Sequence, residues 1–127
     1  MSELKPVETT NAPSAVGAYS QGISVGDFVF TSGCLPIDPV SKAMPEDVKA
    51  QATVALQNLK AVVEAGGSGM DRVVKCTVFL VDINDFAAVN EVYSTFFGKP
   101  FPARSCFAVA ALPLGARVEI EAVAAKK

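Results

Sequence analysis

Chemistry in this chain must come from few residue types. Its 127 residues include no histidine, which removes Ser-His and Cys-His nucleophiles and every zinc site that uses His. Cys34, Cys76 and Cys106 stand far apart. An odd, scattered count points neither to a disulfide framework nor to a thiolate metal site. No metal is expected, and acid/base work falls to carboxylates, Tyr, Lys, Cys or water. Arg104 and Glu119 are the pair best suited to it, with Glu121 nearby. An arginine fork grips a carboxylate through two parallel hydrogen bonds. A glutamate in a partly dry cleft has its pKa raised and serves as acid or base. Together they suit a small anionic substrate attacked by water. The competing reading is an ion pair that only ties strands or subunits together, and that is the commoner role for such pairs. Cys106 lies two residues from Arg104, whose charge favours a thiolate. Without histidine it lacks the usual base, so a packed thiol is expected there, as at Cys34 and Cys76. Tyr19, in the loop Gly17-Ala18-Tyr19-Ser20-Gln21, is either a surface lid or a ring lining a pocket.

The elements that must position these residues follow from periodicity. Gly22 to Val25 and Phe28 to Thr31 read as short strands joined by the two-residue turn Gly26-Asp27. Pro45-Glu46-Asp47 opens a helix. Its apolar stripe is Val48, Ala52, Ala55, Leu59, Val62 and Val63, and Gly66-Gly67 stops it. The run Gly66-Gly67-Ser68-Gly69 follows a helix and precedes a strand, the wrong order for a phosphate loop. Val73 to Val81 is nearly continuous apolar sequence, as in a strand covered on both faces. Asp82 caps a second helix, with Asp85 near its third position, and Phe86, Val89, Tyr93, Phe96 and Phe97 form its buried stripe. Asn90 lies on the same side and needs hydrogen-bond partners; a structural bond to a nearby loop is the usual answer, a role in a site the rarer one.

Two strands end the chain, Arg104 to Ala110 and Arg117 to Ala124, joined by Leu112-Pro113-Leu114-Gly115-Ala116 as a hairpin. The order is β-β-α-β-α-β-β, with or without an extra strand near Lys5 to Glu8. This is an α+β fold, one mixed sheet with two helices on one face. Alternation along the last strands places Phe107, Val109, Val118, Ile120 and Ala122 under the helices. Arg104, Cys106 and Ala108, with Arg117, Glu119, Glu121 and Val123, then share the opposite face. That face is too apolar and too small-residued for water alone, so another subunit is expected to cover it.

Half of the residues are apolar and 19% are charged, enough for a core and too little charge for disorder. One domain over residues 1–127 is expected. The net charge is −2 and there is no basic stripe, so nucleic acid is not expected as a partner. Met1 to Pro6 has no apolar signal-peptide core, and no apolar run approaches the ~20 residues of a spanning helix. A soluble, cytoplasmic protein without membrane contact is expected.

The segment Pro102-Ala103-Arg104-Ser105-Cys106-Phe107, then Leu112-Pro113, then Val118-Glu119-Ile120-Glu121-Ala122 closely resembles the C-terminal signature of the Rid (reactive intermediate deaminase) family, also called YjgF or translation-inhibitor L-PSP. Gly17 to Gln21, Phe30-Thr31-Ser32-Gly33 and Asn84 to Asn90 resemble further family segments, in family order. The resemblance implies a chorismate-mutase-like fold and a homotrimer with sites in clefts between subunits. It implies hydrolysis of reactive enamines and imines, such as 2-aminoacrylate and 2-aminocrotonate, to 2-keto acids and ammonia, with no cofactor. On the family pattern Arg104 binds the substrate carboxylate, the backbone amide of Cys106 adds a second contact, and Glu119 orders the attacking water. Tyr19, Ser32, Gly33 and Asn90 match pocket positions. Ala18 stands where proline is common and Cys34 where glutamine is common. Two rival readings accompany this one: a regulatory trimer that binds small 2-imino or 2-keto acids without turnover, and an endoribonuclease.

Overall fold

The computed structural model describes residues 3–127. A short strand, β1 (Lys5–Val7), realises the optional N-terminal element and pairs antiparallel with β2 (Gly22–Val25). The turn Gly26-Asp27 then leads into β3 (Phe28–Thr31). Gly26 has φ 54°, a left-handed conformation that costs glycine least.

Asp47 starts α1 (Val48–Ala65), its carboxylate accepting from the Ala50 N–H at 2.9 Å; Pro45 and Glu46 precede the cap. Ala52, Ala55, Leu56, Leu59 and Val63 are fully buried, while Lys49, Gln57, Lys60 and Glu64 face solvent. Helical spacing thus separates a core face from a solvated one. The chain leaves α1 through Gly67, at φ 91°, and enters β4 (Val73–Leu80).

The start of the second helix differs from expectation. Asp82 caps a single 3-10 turn, Ile83–Asp85, by accepting from the Asn84 N–H at 2.9 Å. The helix α2 (Phe86–Phe96) follows, with Asp85 at its N-cap making no capping bond. The Asp85 carboxylate instead accepts two hydrogen bonds from Arg117 Nη2, at 3.1 and 3.0 Å. A charged donor that meets both carboxylate oxygens outweighs a neutral amide for that carboxylate.

The last strands, β5 (Ala103–Ala108) and β6 (Val118–Ala125), do not form a hairpin. The sheet order is β1-β2-β3-β6-β4-β5, with β4 between them. Because α2 carries the chain back after β4, β5 pairs parallel to β4 at the sheet edge. The chain then crosses to add β6 antiparallel along the other side of β4. This crossing reverses the expected facing of β5. Cys76 pairs with Arg104 and Val78 with Cys106, and Cys76 and Val78 are buried in the core. Arg104 and Cys106 therefore face the helices, and Phe107 faces away. The β6 facing is as expected, with Val118, Ile120 and Ala122 buried.

Both helices contribute to the principal core, against β4 and β6. The opposite face carries Phe28, Phe30 and Phe107, each more than two-fifths exposed, beside Phe79, Glu119 and Glu121. Phe79 and Phe107 meet edge to face at 5.4 Å. β4 is thus covered on one face only within the chain, not on both. Among the described residues, no helix is long and apolar enough to cross a membrane.

Candidate functional site

The candidate residues form two groups. The first surrounds Arg104 at the sheet edge, below α2. Its Nη1 donates to Asn90 Oδ1 at 2.6 Å. Its guanidinium lies over the rings of Tyr93 and Phe86, with Cζ 4.8 and 5.3 Å from their centroids. Phe86, Asn90 and Tyr93 are one α-helical turn apart in succession, so α2 presents all three to the same spot. Asn90 thus bonds the Arg104 side chain rather than a loop. Arg104 and Cys106 also line a crevice with Val78 and Val89 that leaves no room for a water molecule. Burial pushes the Cys106 thiol up and the nearby guanidinium pulls it down, with burial the larger.

The edge position of β5 frees part of its backbone. The Val109 N–H bonds the Leu80 carbonyl at 2.7 Å. Parallel pairing alternates, so Ser105 and Phe107 also direct their amides at β4, whereas Arg104 and Cys106 direct theirs outward. An acceptor at the edge can reach the Cys106 N–H while Arg104 grips it.

The second group surrounds Glu119 on the open face. A short bridge pairs Cys34 with Ile120, the Cys34 N–H donating to the Ile120 carbonyl at 2.7 Å, and this lays Gly33 against Glu119. A Cβ on Gly33 would stand 2.7 Å from Glu119 Cδ, so only glycine lets the carboxylate lie on this backbone. Burial raises the Glu119 pKa, and the neighbouring Glu121 raises it further. Ser32 serves as an anchor: its hydroxyl donates to the Ser20 carbonyl at 2.6 Å and its N–H to the Gln21 carbonyl at 3.0 Å. That ties the Tyr19 loop beside Gly33, with the Tyr19 ring half exposed. Cys34 is buried, its thiol pushed up to about 12 by burial, then by Glu119 and Glu121. It is no nucleophile at neutral pH.

Arg104 and Glu119 thus project from opposite faces of the sheet, not from one face as alternation along a hairpin predicts. One chain brings Arg104, Asn90 and Cys106 together, and separately Ser32, Gly33 and Glu119, with the Tyr19 loop tethered to the second group. A groove of about 460 Å³ runs along the Tyr19 loop from Glu8 to Gln21 and is lined by neither Arg104 nor Glu119. Sequence reasoning missed three contributors. Phe86 and Tyr93 were legible as apolar positions on the Asn90 side of a helix, but their role as the seat of Arg104 depends on the facing of β5. Gln21 carries no catalytic signature, yet it is buried and its side-chain amide bonds Thr9, Ala12 and Pro13, folding the loop that holds Tyr19.

A model of the family described as endoribonuclease L-PSP matches residues 9–126. The chain is 50% identical over 126 residues to 2-iminobutanoate/2-iminopropanoate deaminase of Salmonella typhimurium, covering 97% of this chain and 98% of that one. The crystal structure of Escherichia coli TdcF with bound serine is similar with a TM-score of 0.92 at 44% identity, covering 97% of this chain and 99% of the other. The YjgF gene product of E. coli is similar with a TM-score of 0.93 at 46% identity, again covering 97% and 99%.

Proposed function

Because the chain belongs to the endoribonuclease L-PSP family, the Rid or YjgF family of its deaminase relative, we propose that it is a 2-iminobutanoate/2-iminopropanoate deaminase. It hydrolyses these imines, formed from 2-aminocrotonate and 2-aminoacrylate, to 2-keto acids and ammonia. The carrying observation is the 50% identity to such a deaminase over nearly the whole of both chains. The geometry supports it. Arg104 presents a fixed guanidinium to a carboxylate, and the outward Cys106 N–H supplies a second donor. On the other face stands a carboxylate whose raised pKa suits proton transfer.

In the proposed reaction the protonated imine carbon accepts water while Glu119 takes a proton from that water. The resulting carbinolamine regains the proton on nitrogen from Glu119. The C–N bond breaks and ammonia leaves while Glu119 takes the hydroxyl proton, so the oxygen becomes the keto carbonyl; that proton leaves with the ammonia as ammonium. The iminium is already electrophilic, so the protein has only to hold the acid, place the water and move protons.

Arg104 and Glu119 reach one small substrate only if they come from different chains. The open apolar face and the free β5 edge support a homotrimer whose clefts join the Arg104 edge of one subunit to the Glu119 face of the next. The ligands are small 2-imino and 2-keto acids, and the site of action is the cytoplasm. The test generates the imine with a dehydratase and follows its hydrolysis by the protein and by Arg104→Ala. Acceleration by the protein and none by the variant is expected; equal rates would refute the assignment.

A further inference from the structure

We propose that α2 is the mount that aims Arg104, with Asn90, Phe86 and Tyr93 as positioning residues that favour the Nε–Nη2 edge of the guanidinium for gripping a substrate carboxylate. The inference rests on the deaminase reading for the identity of that carboxylate. A guanidinium offers two pairs of parallel donors suited to a carboxylate, Nη1–Nη2 at its tip and Nε–Nη2 at its side. At Arg104 Nη1 donates to Asn90 Oδ1 at 2.6 Å, which commits one of the two Nη1 protons and leaves Nε–Nη2 as the pair that Asn90 does not engage. The rings of Tyr93 and Phe86 hold the plane from 4.8 and 5.3 Å. An amide restrains rotation in the plane and the rings restrain tilting out of it. Tyr93 contributes its ring, while its buried hydroxyl lies beside the Cys76 thiol. A long, flexible side chain is thereby ordered before substrate arrives, and binding need not order it.

The amide is also the right chemistry for the Nη1 corner. A carboxylate there would orient the guanidinium equally well, but it would pair with the charge that the substrate needs. Two variants separate these effects. Asn90→Ala removes the orienting acceptor and keeps the charge free. Asn90→Asp keeps the acceptor and neutralises the charge.

The experiment combines nitrogen-15 NMR of the Arg104 side chain with titration of 2-oxobutanoate, a product and a plain carboxylate probe, and with imine-hydrolysis kinetics, all on folded protein. In the wild type, rotation about the Cζ–Nη1 bond of Arg104 is expected to be slow enough to resolve its two Nη1 protons. In Asn90→Ala those signals average, and in Asn90→Asp they stay resolved. Both variants are expected to weaken 2-oxobutanoate binding and raise KM, on the order of 10- to 100-fold for one lost charge-assisted contact. Turnover at saturation falls less, because the water is held by Glu119. Nη1 protons that average equally in wild type and Asn90→Ala would overturn the mount, as would unchanged 2-oxobutanoate affinity in both variants. Wild-type protein that binds 2-oxobutanoate but hydrolyses no imine would instead remove the deaminase reading, and the NMR comparison would still decide the mount.

Discussion

Gly33 is the residue on which the Glu119 carboxylate rests, and its missing side chain is the reason it can. A methyl group there would meet Glu119 Cδ at 2.7 Å, so Gly33→Ala must push the carboxylate off its seat. Displacing a water-positioning group by about 1 Å costs on the order of a hundredfold in rate. We expect kcat/KM for the imine to fall by roughly that factor, with folding preserved by circular dichroism; full activity would show that Glu119 tolerates displacement. The second residue-scale prediction concerns charge. Burial, then Glu121, raises the Glu119 pKa above its usual value, so its base form, the form the proposed reaction uses, is lost at a higher pH than for an ordinary glutamate. Folded protein also binds that proton more tightly than unfolded protein. Glu119 therefore favours the fold at low pH, and that contribution is lost as pH rises through the raised pKa. Glu121→Gln removes the repelling charge and should move the acid limb of the kcat/KM profile to lower pH. An unmoved limb would mean that Glu119 does not set it.

At the scale of elements, α1 does more than cover the sheet. Asn58, buried on its inner face, donates from Nδ2 to the Leu35 and Ile37 carbonyls, each at 2.9 Å. These carbonyls belong to the segment that continues from Gly33 and Cys34, so α1 fixes the path of the chain beside Glu119. Asn58→Ala strands two carbonyls in a poorly solvated place and should cost about 1–3 kcal/mol of stability. Urea denaturation with an unchanged m-value would read it; an unchanged midpoint would show the segment held by other contacts. The helix α2 performs the matching task for Arg104. It is itself held at its start by the Arg117–Asp85 pair and along its length by Lys49 and Glu91, 2.8 Å apart across the two helices. That second pair is exposed, and little stability is expected from it.

For the whole molecule, the decisive feature is that Arg104 and Glu119 occupy opposite faces of one sheet. If each cleft takes Arg104 from one subunit and Glu119 from its neighbour, two inactive variants can repair one another. Arg104→Ala and Glu119→Gln should each lose most turnover. Co-expressed, they should assort at random into trimers around a closed ring, so that about a quarter of all clefts, one in each mixed trimer, carry both intact residues. Recovery of about that share of wild-type activity is expected, and light scattering should return a trimer mass at micromolar concentration. No recovery in verified mixed trimers would place both groups in clefts that a single chain supplies.

The sequence by itself determined the local elements and the chemistry available to them. Helical spacing located α1, the Gly26-Asp27 turn set the β2–β3 hairpin to the residue, and alternation correctly faced β6, because these signals reside in neighbouring positions. The absent histidine and the residue types at Arg104 and Glu119 likewise limited the reaction before any fold was known. Only the tertiary structure decided how Arg104 and Glu119 relate. Their separation depends on β5 pairing parallel to β4 instead of folding back on β6. Pairing partners are chosen by long-range burial, and each strand carries an apolar residue on either face: Cys106 and Phe107 in β5 each suit a core or an interface. With period-2 alternation, that choice of partner and register sends every side chain of β5 to one face or the other. It carried Arg104 to α2 and left Glu119 on the open side.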